Sequence, residues 1–142
     1  MEKPEGLEPL HPEVLGSDEN AISRQIVESA IEVHRSLGGP GLLESVYEEA
    51  LLWELDERGL RVERQVALPI RYKGHILASP LKMDLVVGTK VIVECKAVTQ
   101  YHTVFEAQTL TYLRLSGLKL GMVINFGERI VKNGIHRVVN GL

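Results

Sequence analysis

The chain has 142 residues, enough for one domain, and its 44% hydrophobic and 25% charged residues exclude intrinsic disorder and supply a sizeable core. Its single cysteine, Cys95, excludes an intrachain disulfide and a cysteine-based zinc site, and no apolar run reaches the ~18 residues that span a bilayer. Sixteen Lys and Arg against nineteen Asp and Glu give a net charge of −3. That excludes a protein held to nucleic acid by bulk basicity, but not an enzyme that reaches a phosphate through local carboxylates and a metal ion.

Residues 1–19 are acidic, carry Pro4, Pro9 and Pro12, and lack periodicity. They read as a flexible tail rather than a secretory signal, with the cytoplasm as the default location. Residues 20–142 read as the folded domain. Ala21, Ile22, Ile26, Ile31, Val33 and Leu37 have helical spacing, with Asp18 or Asn20 as N-cap, and Gly38-Gly39-Pro40-Gly41 stops that helix. A second helix is expected over about 43–58. Residues 61–72 read as one strand, Lys73-Gly74 as a turn, and 75–87 as a second strand bent or interrupted at Ser79-Pro80. Gly88-Thr89-Lys90 makes a tight turn into a third strand over 91–97. A third helix is expected over 103–116, opened by a capping box of Thr103 and Glu106. An apolar strand at 120–126, a loop at 127–133 and a short strand near 135–139 complete the chain. This order implies a single α/β domain with a mixed β-sheet flanked by helices.

The chemistry concentrates in the hairpin around Gly88-Thr89-Lys90. If Val87 pairs with Val91, Asp84 lies opposite Glu94, and Lys96 shares their face, while Met83 and Cys95 pair on the other. Opposed carboxylates among Val, Ile and Leu destabilise a sheet unless a cation relieves them. A divalent ion between them does so, with Lys96 placed to orient a water or stabilise charge at a phosphoryl oxygen. The plainer alternative is that Lys96 and Lys82 salt-bridge both acids on an exposed face.

On the second helix, Glu44 falls in line with Leu51 and Leu55, with Tyr47 one turn on and Glu48 flanking, so Glu44 is expected to need a partner. On the third, Gln108 and Tyr112 set an amide and a phenol beside Phe105 and Leu115, where they could hold Lys96, a carboxylate or a phosphate. An amphipathic helix edge is the alternative there. His34 reads as a helix-surface residue rather than a ligand, His102 as a loop residue, and Trp53 and Phe126 as core. Cys95 reads as a buried small hydrophobe.

Gly41-Leu42-Leu43-Glu44-Ser45-Val46-Tyr47 resembles the signature of the GxxExxY proteins, a family of the PD-(D/E)XK nuclease superfamily. Asp84 with Glu94-Cys95-Lys96 resembles that superfamily's Asp…Glu-x-Lys motif. Gln108-Thr109-Leu110-Thr111-Tyr112 is similar to the Gln-x-x-x-Tyr motif of its RecB-like exonuclease branch. Gly121-Met122-Val123-Ile124-Asn125-Phe126-Gly127 and Ile135-His136-Arg137-Val138 also resemble the family, although the glycine loop is one residue longer than the usual Leu-Gly-Pro-Gly.

The resemblance implies a restriction-endonuclease-like single domain and Mg²⁺-dependent phosphodiester hydrolysis, with Mn²⁺ as a substitute. It implies Asp84, Glu94 and Glu44 around the metal, Lys96 as the catalytic lysine, and Gln108, Tyr112 and Tyr47 in support of the site or the nucleic acid. The expected partner is nucleic acid, DNA in the first place, with no membrane and with a homodimer or a larger protein partner left open. Endonuclease and exonuclease remain open, as does a second function class: a nucleic-acid- or protein-binding module that keeps the fold and turns over little or nothing. The weakest alternative is a structural subunit whose acids are merely salt-bridged.

Overall fold

Asp18 closes the start of the first helix, its side chain accepting from the Asn20 amide at 2.8 Å. In the computed structural model the described residues are 18–142; the tail expected over 1–19 lies outside them up to position 17. Helix α1 (Glu19–Ser36) buries Ile22, Ile26, Ala30 and Val33, one stripe at 3.6-residue spacing. Ile31 and Leu37, expected in that stripe, lie at the surface. His34, expected at the surface, is buried, and its Nε2 lies 2.9 Å from the Glu128 carbonyl oxygen.

Gly38, Gly39 and Gly41 all have positive φ, a backbone that side chains with a Cβ avoid, so the chain turns sharply into helix α2 (Glu44–Glu57). This helix buries Tyr47, Leu51 and Leu55. Trp53 is 55% exposed, a correction to its expected core place: two residues from both Leu51 and Leu55, it lies about 200° round the helix from each.

The strands are β1 (Val62–Leu68), β2 (Arg71–Tyr72), β3 (His75–Ile76), β4 (Leu81–Val87) and β5 (Val91–Lys96). After helix α3 (Val104–Ser116) come β6 (Leu120–Asn125), a 3₁₀ turn (Val131–Gly134) and β7 (Ile135–Val139). The strand expected over 61–72 is two, because Pro69 has no amide to give a ladder. The predicted break at Ser79-Pro80 separates β3 from β4. β2 and β3 form a separate small hairpin. The expected capping box is not formed. Thr103 is already helical (φ −63°, ψ −13°) and makes no side-chain cap, His102 Nδ1 accepts from the Val104 amide instead, and Glu106 accepts from Tyr101.

The main sheet has the order β1-β4-β5-β6-β7. All neighbours are antiparallel except β5 and β6, whose parallel pairing needs the crossover that α3 supplies. Helices α1 and α2 cover one face over Leu85, Val87, Val91, Val93, Cys95 and Ile124, while α3 covers the other over Val86, Ile92 and Val123. Central strands β5 and β6, buried on both faces, read as continuous apolar runs for that reason. Helix α3 lies so close that a Cβ on Gly121 would sit 2.6 Å from the Thr109 methyl. Among the described residues no helix is long and apolar enough to cross a membrane.

One local irregularity sets up the site. The β1–β4 ladder runs Arg64↔Leu85 and then Val66↔Met83, skipping Gln65 and Asp84, and Gln65 has φ +54°. On one side of this break Val62, Leu85 and Val87 pack towards α1 and α2. Beyond it Val66, Leu68, Leu81 and Met83 pack towards α3. Both strands therefore reverse their faces at the same level. Met83, expected to share a face with Cys95, lies on the other side of the sheet from it.

Candidate active site

The β4–β5 ladder follows the expected register from Val87↔Val91 to Leu85↔Val93 and stops there. Continued by one pair it would oppose Asp84 and Glu94. Instead, the two carboxylates take the place of ladder carbonyls. Asp84 N–H donates to Glu94 Oε2 at 2.8 Å, and Cys95 N–H donates to Asp84 Oδ2 at 2.9 Å. Each side chain is thus held by the backbone of the opposite strand where the strands part. A carboxylate accepting a backbone amide in this way has little rotational freedom.

Their electrostatics are unfavourable. Burial pushes the Glu94 carboxyl well above the usual range, and the charge of Asp84 pushes it further. Burial also raises Asp84, against the Cys95 amide and Lys96, with Glu48 and Glu44 adding to the rise. Among the described residues Glu94 Oε1 has no hydrogen-bond partner, and Asp84 Oδ1 meets only Gln65 Nε2, at 3.4 Å.

Lys96 is close enough for its charge to lower both acids, yet forms no ion pair with either. Its Nζ sits 4.5 Å from the centre of the Phe105 ring, a cation–π contact that leaves the ammonium protons available. Lys82 is exposed and likewise unpaired with the acids, so the salt-bridged alternative does not describe this cluster.

A second carboxylate shell comes from α2. Glu48, only 5% exposed, receives Arg64 Nε at 2.6 Å and Gln65 Nε2 at 3.0 Å, and Gln65 also reaches Asp84. The partner expected for Glu44 thus belongs to Glu48, one turn further into the helix. Glu44 itself is exposed at the first position of α2 and its side chain has no hydrogen-bond partner among the described residues, although its charge acts on Asp84.

Tyr47 is fully buried away from the acids. Its Oη donates to the Gly39 carbonyl at 2.7 Å and accepts from the Leu42 amide at 3.1 Å, and its ring stacks on Phe126 at 4.7 Å. It fastens the glycine loop. On α3, Tyr112 is half-buried on the side of the acids: burial raises its phenol, and the charges of Glu94 and Asp84 raise it further. Gln108, one turn earlier, is exposed, and its side chain has no hydrogen-bond partner among the described residues.

Glu48 stood in the sequence only as a residue beside a leucine stripe, and Gln65 carried no signal beyond being polar in a β-branched strand. What makes Gln65 important is its left-handed backbone, set by the tertiary fold.

A buried carboxylate, Glu94, beside a half-buried one, Asp84, each with acceptor capacity to spare and neither in an ion pair, is a hard-oxygen donor set. It suits an ion such as Mg²⁺ or Mn²⁺ that keeps several waters and takes one or two protein carboxylates. Among the described residues no three His, Cys, Asp or Glu side chains come together as a group that could hold a metal ion.

A family model described as the PD-(D/E)XK nuclease superfamily matches residues 20–138. No curated protein and no solved structure matches the chain.

Proposed function

The chain belongs to the PD-(D/E)XK nuclease superfamily, its mixed five-stranded sheet flanked by helices being the restriction-endonuclease-like fold, and from that premise we propose that it is a divalent-metal-dependent nuclease acting on DNA. Asp84 and Glu94 would hold the ion, with Glu44, whose charge acts on Asp84 from the first turn of α2, as a third carboxylate. When bound, a Mg²⁺ or Mn²⁺ ion supplies polarisation of the scissile phosphate and a more acidic water. Lys96 orients that water or meets the charge that develops on the phosphoryl oxygens. Tyr112 and Gln108 steady the site or the strand from α3, and Tyr47 keeps the glycine loop in place beneath α2. Within the superfamily, the Gly41–Tyr47 signature supports a kinship with the GxxExxY proteins, and the Gln108…Tyr112 spacing supports one with the RecB-like branch.

One observation carries this reading. A buried acid, Glu94, and a half-buried one, Asp84, are fixed side by side by each other's strands, both raised in pKa by burial and Glu94 further by the charge of Asp84, and a nearby ammonium stays unpaired with them. Such an arrangement costs stability and gains by receiving a cation. The second reading, a nucleic-acid-binding module without turnover, draws on the lack, among the described residues, of a third carboxylate grouped with the pair.

Cleavage separates them. Purified protein with Mn²⁺ or Mg²⁺ is expected to cut DNA, EDTA to stop it, and Asp84→Ala and Lys96→Ala to abolish it. Equal cutting by parent and both variants would falsify this site. Tight DNA binding with no metal-dependent cutting by the parent selects the binding module.

A further inference from the structure

The hairpin between β1 and β4 has no part in the core. Residues 71–80 are all exposed, among them Tyr72 at 58% and Ile76 at 62%. The register pairs Tyr72 with His75 and Arg71 with Ile76, and the turn residues Lys73 and Gly74 both have positive φ, as a tight two-residue hairpin turn requires. The Leu77 amide donates to the Ile70 carbonyl at 2.9 Å and extends the pairing beyond the two short strands. Lys73 Nζ lies 5.5 Å from the centre of the Tyr72 ring.

The charge here runs against the rest of the molecule. Residues 65–83 hold Arg71, Lys73 and Lys82 and no acid, a charge of +3, which leaves −6 on the rest of the chain. Position matters as much. Leu68 and Leu81, at the hairpin's root, are each three residues from Gln65 and Asp84, so about 10 Å of strand separates the root from the carboxylate pair.

We propose that the 71–76 hairpin is a contact element for single-stranded nucleic acid, with Tyr72 stacking an unpaired base and Arg71 and Lys73 meeting flanking phosphates. An exposed aromatic ring between cations is what such strands bind, whereas a base inside a duplex offers no free face to it. The inference takes its ligand class from the nuclease reading but not its test.

Binding is measured with the full chain in EDTA, by fluorescence anisotropy of a short labelled single strand, with DNA and RNA arms and the matching DNA duplex. Tyr72→Ala is expected to weaken single-strand binding roughly ten-fold, and Tyr72→Phe, which keeps the stack, to stay within about two-fold of the parent. The double variant Arg71→Gln/Lys73→Gln is expected to flatten the salt dependence by about 1.4 in log–log slope. Unchanged melting temperatures show that these exposed changes leave the fold intact. Parent-like binding by Tyr72→Ala and the double variant overturns the inference. So does a parent that binds neither single strand, or one that prefers the duplex. A parent that binds through Tyr72 but never cuts upholds the hairpin and removes the nuclease. A parent that cuts, with hairpin variants that bind and cut equally well, does the reverse.

Discussion

Glu94 shows what a single buried carboxyl does to the fold. Burial and the neighbouring Asp84 push it to about 8, and burial pushes Asp84 to about 6, while both keep ordinary values in the unfolded chain. The native state therefore holds more protons than the unfolded state between the ordinary carboxylate range and about pH 8. Stability contributed by these groups falls as pH rises through that window. Glu94→Gln retains an oxygen to accept the Asp84 amide and removes the charge. In EDTA, the parent's melting temperature is expected to drop between about pH 5 and pH 8.5, and that of Glu94→Gln to drop much less, making the variant the more stable protein at the alkaline end. Parallel curves for the two proteins would mean that the pair is not strained by its charge.

At the scale of elements, the glycine loop and α2 depend on Tyr47. Tyr47→Phe keeps the stack on Phe126 but strips the Gly39 carbonyl and the Leu42 amide of their shared hydroxyl. A loss of about 1–3 kcal/mol in urea unfolding, at unchanged m-value, is expected; no loss would mean that water replaces the hydroxyl without cost. The sequence pattern announced that loop by its glycines and the central strands by their apolar runs, since those features follow from local backbone freedom and two-sided burial. It also announced the β4–β5 register, because a short turn leaves little choice of pairing. It did not announce what depends on distant chain. Glu106 left its capping box for Tyr101, and Trp53 stayed outside because its helix buries only one stripe. Met83 changed faces at a left-handed Gln65 that no residue preference predicts. Asp84, Glu94 and Lys96 were legible as a spacing, but the exchange of backbone amides between the two acids required the strands to part.

For the molecule as a whole, the carboxylate pair links folding to ion binding under the proposed nuclease reading. A cation that binds the native state and not the unfolded one raises stability by mass action, and it must compete with protons for the same oxygens. Because the two carboxyls hold protons up to about 6 and about 8, the competition is strongest at acid pH and vanishes above the higher value. Millimolar Mn²⁺ is therefore expected to raise the melting temperature only slightly near pH 5.5 and by several degrees near pH 8.5. Asp84→Asn and Glu94→Gln should lose most of that increment. Lys96→Ala should keep it or gain, since its ammonium repels an incoming cation and forms no ion pair with either acid, lying over the Phe105 ring. That variant thereby separates holding the ion from using it: it melts like a metal-bound protein and does not cut. An equal Mn²⁺ shift in the parent and both pair variants would move the ion elsewhere in the fold and leave the strained carboxylates without an occupant.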